Sequence, residues 1–352
     1  MKFLPSHMMK AALVCTFSAM AAAGPTTSAW PAHHQYAGQN KDQTGNKAKA
    51  NAPSEGEQKA MAKIEAAPDA PAKLAAAGEF VKKFPKSTLR PKVTSYLAQE
   101  IGKLPDETQR ITQLEALLTV FKEPSDAEVI EPILLDTYFN ANRLDDGFRV
   151  AAAYLAKNPN DLAVLTQAAI VGVEQAKKSN SKFVPQSQQY GAKAIELIES
   201  GKKPDTFDDA RWSEFQTRWL PTLYQSMGML SLMTGNKSEA RAKLDKARSL
   251  NETDPFTYVL LGTMLNDDYQ QLAQQHKALS AGPMKDTVLT QAHGKLDEVI
   301  DMYTHAIALS EGNPAYQQLH DQLLQDLQAY YKYRHNGSLD GLQQLIDKYK
   351  KK

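Results

Sequence analysis

Apolar side chains recur along this chain at steps of three and four residues, in runs separated by short breakers. Leu134, Leu135, Tyr138 and Phe139 form one such set, and Leu323, Leu324, Leu327 and Tyr331 form another. That spacing puts each set on one stripe of an α-helix, and no run keeps the two-residue alternation of a strand. The rhythm predicts helices over 58–66, 74–84, 93–104, 111–121, 129–142, 148–157, 163–178 and 188–200. It predicts others over 207–219, 223–234, 240–250, 256–275, 295–309, 315–335 and 339–349. The breakers have the chemistry of helix ends. Pro85, Pro105, Pro124 and Pro159 stop helices, because proline has no amide hydrogen and disfavours helix in the residue before it. Ser54 with Glu57, and Ser125 with Glu128, have the spacing of capping boxes. Asp69 reads as a cap with Pro71 in the first turn behind it, where a missing N–H costs nothing.

The pattern also repeats at long range. Lys246-Ala247-Arg248-Ser249-Leu250-Asn251-Glu252-Thr253-Asp254-Pro255 matches His305-Ala306-Ile307-Ala308-Leu309-Ser310-Glu311-Gly312-Asn313-Pro314 in its Ala, Leu, Glu, Asp/Asn and Pro positions, and Gly228 and Gly262 stand 34 residues apart. A 34-residue period with small residues at fixed places is the mark of stacked helical hairpins. Prolines at 85, 124, 159, 204, 255 and 314 close the hairpins, and none of their separations falls below 34. The longer separations read as insertions: a polar loop over 179–187, an extra helix over 207–219, and a loop over 279–289 around Gly282-Pro283. The last interrupts a hairpin over 276–290, and loops of that length in compact domains are commonly functional. The readings are a plain mobile surface loop, or one that folds back over one rim and gates or extends a groove. The fold expected is an all-α, right-handed α-α superhelix of about seven irregular hairpins over 56–349.

Two hairpins carry a family resemblance. Tyr224, Met227-Gly228, Ala240 and Leu244 in one, and Tyr258, Leu261-Gly262, Leu265, Val299 and Tyr303 in the next, resemble the tetratricopeptide repeat. Ser231 stands where that repeat has Tyr. An earlier unit fits at Tyr138, Ala151 and Pro159, with Leu135 in place of the Gly. Phe80-Val81-Lys82-Lys83-Phe84-Pro85-Lys86-Ser87 is similar to helix ends of tetratricopeptide proteins of the bacterial envelope. The resemblance implies that the first helix of each hairpin lines a groove for a protein or peptide. Its groove offsets fall on Gln225, Met229, Leu232, Thr263, Asn266 and Asp267.

The N-terminus adds an address. Lys2 and Lys10 precede a short apolar stretch, Ala11 to Ala23, that ends in small residues, so 1–23 reads as a cleaved secretory signal and the protein as periplasmic. Cys15 is the only cysteine, and Val14 before it does not suit a lipid anchor. The mature chain would hold no disulfide. Residues 24–55 are mostly small and polar and read as a disordered tether. No stretch is apolar and long enough to span a bilayer. The chain has 41 basic and 40 acidic residues, and without Lys2 and Lys10 it is nearly neutral. No nucleic-acid footprint is present.

Candidate chemistry is sparse. His293, Asp297, Asp301 and His305 follow at four-residue steps, but each step drifts about 40° around a helix, so the four cannot converge on one metal ion. His33-His34 lies in the tether. Asp145-Asp146, Asp208-Asp209 and Asp267-Asp268 fall at helix starts or on a helix surface, where capping and the helix dipole explain the first two. No nucleophile elbow, zinc-protease, haem or phosphate-loop motif occurs, so neither enzyme activity nor a cofactor is expected. Met227, Met229 and Met233 read as core more readily than as an adaptable binding floor. Tyr330, Tyr331 and Tyr333 read as packing of the last hairpin. Lys348, Lys350, Lys351 and Lys352 suit the end of a helix. The function expected is an exported, non-enzymatic scaffold that binds a protein or peptide. The alternative is a glycan- or small-ligand-binding protein using Phe207, Trp212, Phe215 and Trp219 as stacking faces.

Overall fold

A computed structural model describes residues 52–350. They are 80% helical with no strand, and the helices pack against their neighbours in sequence order as a helical-repeat solenoid. The expected signal (1–23), with Cys15, and the tether through residue 51, with His33-His34, lie outside the described residues, as do Lys351 and Lys352. The contacts divide the described chain into two units, 52–168 with 204–208 and 169–203 with 209–350.

The first unit begins at the capping box expected for it. The Ser54 N–H donates to the Glu57 carboxylate at 2.7 Å and the Glu57 N–H to Ser54 Oγ at 3.3 Å, which starts α1 (Glu55–Ala66). Asp69 accepts from the Ala72 N–H at 2.8 Å, with Pro71 in the first turn of α2 (Ala70–Lys83). Then follow α3 (Arg90–Gly102), α4 (Glu107–Val120), α5 (Pro124–Asn140) and α6 (Leu144–Lys157), while α7 (Leu162–Lys177) runs across the division. Helices pack on the next and the next but one, α3 on α5 as well as α5 on α6. Ile64, Phe80, Leu97, Ile101, Leu114, Leu117, Phe121 and Ile130 form the fully buried core.

One end of α5 differs from the expectation. The Ser125–Glu128 box does not open it. The helix starts a turn earlier, at Pro124, whose fixed φ suits a first position. Asp126 accepts from the Glu123 N–H at 3.0 Å. The same carboxylate takes a forked pair from Arg90, 2.7 Å from Nη2 and 3.1 Å from Nε, and the Thr94 hydroxyl at 3.2 Å. A helix start and a neighbouring helix are thus tied at one buried acid.

In the second unit the loop expected over 179–187 is mostly helix. A 3-10 turn at Ser181–Phe183 leads straight into α8 (Val184–Glu199). The extra helix expected over 207–219 is not a separate element either. α9 (Asp209–Glu214) passes through a π-turn, Phe215–Trp219, into α10 (Leu220–Met233). There the Leu220 N–H reaches back to the Phe215 carbonyl. The wide turn admits Pro221, which has no hydrogen to give and whose ring would strike the carbonyl of a regular turn. α11 (Lys237–Leu250) follows a tight turn in which Gly235 has φ 82° and Asn236 caps the Glu239 N–H at 3.3 Å.

The largest correction concerns 276–290. There is no long loop. α12 (Pro255–Ala278) and α13 (Pro283–Ser310) extend towards each other and leave only residues 279–282 between them. Gly282-Pro283 starts a helix instead of breaking one: Gly282, at φ 153°, turns the chain and Pro283 takes the first helical position. The added turns of α13 bury Val288 and Ala292, and the last turns of α12 before them bury Tyr269 and Ala273. No segment is left to fold over a rim. α14 (Gln317–Arg334) and α15 (Leu342–Tyr349) complete the unit.

Glycines set how closely the hairpins close. A Cβ on Gly228 would lie 2.8 Å from Leu244, and one on Gly262 2.5 Å from the Tyr303 ring. The 34-residue glycine spacing therefore marks two helix crossings of the same kind.

Candidate functional site

α10, α12 and α14 are the first helices of successive hairpins, and side chains bridge them directly. Gln225 on α10 donates to Thr257 Oγ1 at 2.7 Å and to the Asp254 carboxylate. Asp254 in turn caps α12 through the Thr257 N–H at 2.9 Å. Tyr330 on α14 donates to Asn266 Oδ1 on α12 at 3.3 Å. These bonds hold the three helices as one face.

The six residues singled out from the sequence fall on this face in different settings. Gln225 is engaged in the clasp just described. Met229 is 1% exposed, so a change there tests packing before it tests docking. Leu232, Thr263 and Asp267 are half-buried and reachable. Asp267 lies 3.7 Å from Lys237 Nζ, which also stands 3.5 Å from Asp268. Asn266 is 9% exposed; its carbonyl oxygen takes the Tyr330 bond, and its amide nitrogen has no hydrogen-bond partner among the described residues.

The sequence reading passed over the most unusual group here, Asp326. It lies on α14 one turn before Tyr330 and so shares its face. It is half-buried and accepts no hydrogen bond or ion pair among the described residues. Burial alone pushes its carboxyl up to about 6, because a charge withdrawn from water without a partner is disfavoured. Its neighbours are the buried phenols of Tyr303 and Tyr330, whose ring centroids are 6.1 Å apart. Burial drives both phenols well above the ordinary tyrosine range, and the Asp326 charge adds to the effect; Thr263 partly offsets it at Tyr303 and Asn266 at Tyr330. The only signal in the chain was an acid four residues before a buried tyrosine, and that is too common a pattern to stand out.

A sign follows for stability. An aspartate titrates near 3.9 when unfolded and here near 6 when folded. Between those values the folded state binds more protons, so stability falls as pH rises through the window. Asp326→Asn should therefore raise the melting temperature at pH 7.5 and leave it almost unchanged at pH 4. An equal effect at both pH values would show that the gain has another origin.

The other candidates are absorbed by packing. Among the spaced acids and histidines, Asp297 takes a forked pair from Arg334 at 2.6 and 2.8 Å, and Asp301 accepts from the Tyr349 hydroxyl at 2.6 Å. His305 is stacked between Tyr258 and Tyr349, and His293 meets the edge of Tyr333. Met227 is fully buried, whereas Met233 is 42% exposed. Tyr330 and Tyr331 are buried and Tyr333 is half-buried. Of the four aromatics considered for sugar stacking, Phe207, Phe215 and Trp219 are buried and only Trp212 keeps partial exposure.

No helix among the described residues is long and apolar enough to cross a membrane. No protein-family model matches the chain, and no curated protein is significantly similar to it.

Proposed function

We propose that this protein is an exported, non-enzymatic scaffold that holds an extended protein or peptide segment along the face of α10, α12 and α14. The observation that carries this reading is the makeup of that face. Bonds between side chains fix three successive first helices, while Leu232, Thr263 and Asp267 keep part of their surface exposed and the Asn266 amide nitrogen keeps its hydrogens for a ligand. An extended segment offers a carbonyl or amide at every residue, and a row of half-buried polar groups on a fixed frame matches such a ligand. The resemblance of 220–309 to tetratricopeptide hairpins supports the same use of the first helices. The secretory pattern of residues 1–23 supports placement in the periplasm. Burial of three of the four aromatics weighs against the glycan alternative, because stacking needs an open ring face.

The test is site-specific photo-crosslinking in cells, with the reactive residue placed at Leu232 or Thr263 and, as a control, at the exposed Glu196 of α8. Discrete adducts from the first two positions, absent from the third, are expected. Adducts of equal yield from all three, or from Glu196 alone, would sink the assignment.

A further inference from the structure

We infer that the face between α12 and α14 selects a basic segment, and that Asp326 is the counter-ion for a lysine or arginine side chain of the bound partner. The inference rests on the groove reading above and names the chemistry of its occupant. An unpaired acid in a half-buried position costs stability, and proteins usually place a cation or a hydrogen-bond donor against such a group. No side chain of the described residues does so for Asp326.

The surroundings are suited to a cation. The buried phenols of Tyr303 and Tyr330 lie near enough to sense the Asp326 charge, and by shielding the carboxylate from water they make an opposite charge beside it count for more. The Asn266 amide, nine-tenths buried with a nitrogen that no side chain takes, stands ready for a carbonyl of the same segment. Charge points the same way. α10 carries no ionisable acid or base apart from Tyr224, while α12 places Asp267 and Asp268 beside this face, with Lys237 as the cation that pairs with them among the described residues. An acidic segment would meet three carboxylates there, and repulsion of like charges is a strong filter against wrong partners.

The probe is an N-acetylated, C-amidated (Gly-Lys)5 peptide titrated by calorimetry into the protein at pH 7.5, with (Gly-Glu)5 as comparison. Binding of the lysine peptide alone is expected, with Asp326→Asn weakening it about tenfold, as for a charge-assisted contact removed from a partly desolvated site. Asp268→Asn removes the same charge from a more exposed acid and should weaken it less than about twofold. The wild-type affinity should also fall between pH 7.5 and 5 as the Asp326 carboxyl protonates. Because Asp326→Asn is expected to melt higher than wild type at pH 7.5, a loss of binding would not be a loss of fold. Equal losses in the two variants, equal binding of the glutamate peptide, or no binding of the lysine peptide would each overturn the inference. If crosslinks from Leu232 and Thr263 persist in that event, the groove stands with a partner of different chemistry. If they are absent too, the groove reading fails with it.

Discussion

Arg90→Ala is expected to destabilise the protein by about 3–5 kcal/mol, the cost of leaving one member of a buried ion pair alone. The side chains of Arg90 and Asp126 are 12% and 2% exposed, so water cannot replace the lost guanidinium without opening the join between α3 and α5. Asp126 would keep the Thr94 hydroxyl and the Glu123 N–H, neither of which carries a full charge. Surface pairs such as Lys59–Glu55, with side chains 76% and 80% exposed, contribute about 0–1 kcal/mol. Lys59→Ala is therefore the control. Removing both buried charges, in Arg90→Leu with Asp126→Leu, should cost less than the sum of the two single changes, because no charge is left unpaired. It still loses the contact to the Glu123 N–H, a capping loss of about 1 kcal/mol. Urea unfolding of Arg90→Ala, Lys59→Ala, the double leucine variant and its two single changes decides the matter. A loss below about 1 kcal/mol for Arg90→Ala would mean that solvent reaches Asp126 freely.

What could be read from the chain depended on whether the signal was local. Ser54 with Glu57 and Asp69 with Pro71 act within one turn of their own helix, and both start helices as expected. At Asp126 the local pattern pointed to Ser125–Glu128, but a contact 36 residues away, from Arg90, accompanies a different helix start. Gly282-Pro283 is ambiguous for the same reason. The pair breaks an isolated helix, yet it also opens one when the flanking turns find a surface to bury, as Val288 and Ala292 do. The groove positions were named from repeat offsets, which place a residue on a helix face but do not say how deeply it is buried. Hence Met229 and Leu232 were equivalent in the sequence and are not in the structure. Asp326 was invisible because its setting is made by Tyr303, on the preceding helix, as well as by its own neighbour Tyr330.

The glycines give a prediction in which two terms of known size oppose each other. Alanine is better than glycine inside a helix by about 1 kcal/mol, so a helical glycine with open space beside it should gain from the change. Gly78 on α2 is such a site, with nothing within 4 Å of an added Cβ. Gly262 on α12 is the opposite case. Its Cβ would meet the Tyr303 ring at 2.5 Å and Met302 Cβ at 3.2 Å, and Tyr303 is itself only 4% exposed. That ring cannot swing into solvent, so α12 and α13 must separate or the ring must leave its rotamer. Overpacking of this kind costs about 1–3 kcal/mol, which exceeds the propensity gain over most of its range. Gly78→Ala is thus expected to stabilise by up to about 1 kcal/mol, and Gly262→Ala to destabilise by up to about 2 kcal/mol. A shift of Tyr303 would also disturb its contacts with Thr263 and Tyr330. Gly262→Ala should therefore weaken whatever binds between α12 and α14 beyond its effect on the melting temperature. Parallel thermal melts of the two variants give the signs directly. If Gly262→Ala stabilises as much as Gly78→Ala, then α12 and α13 are not held as closely as the glycine at their crossing requires.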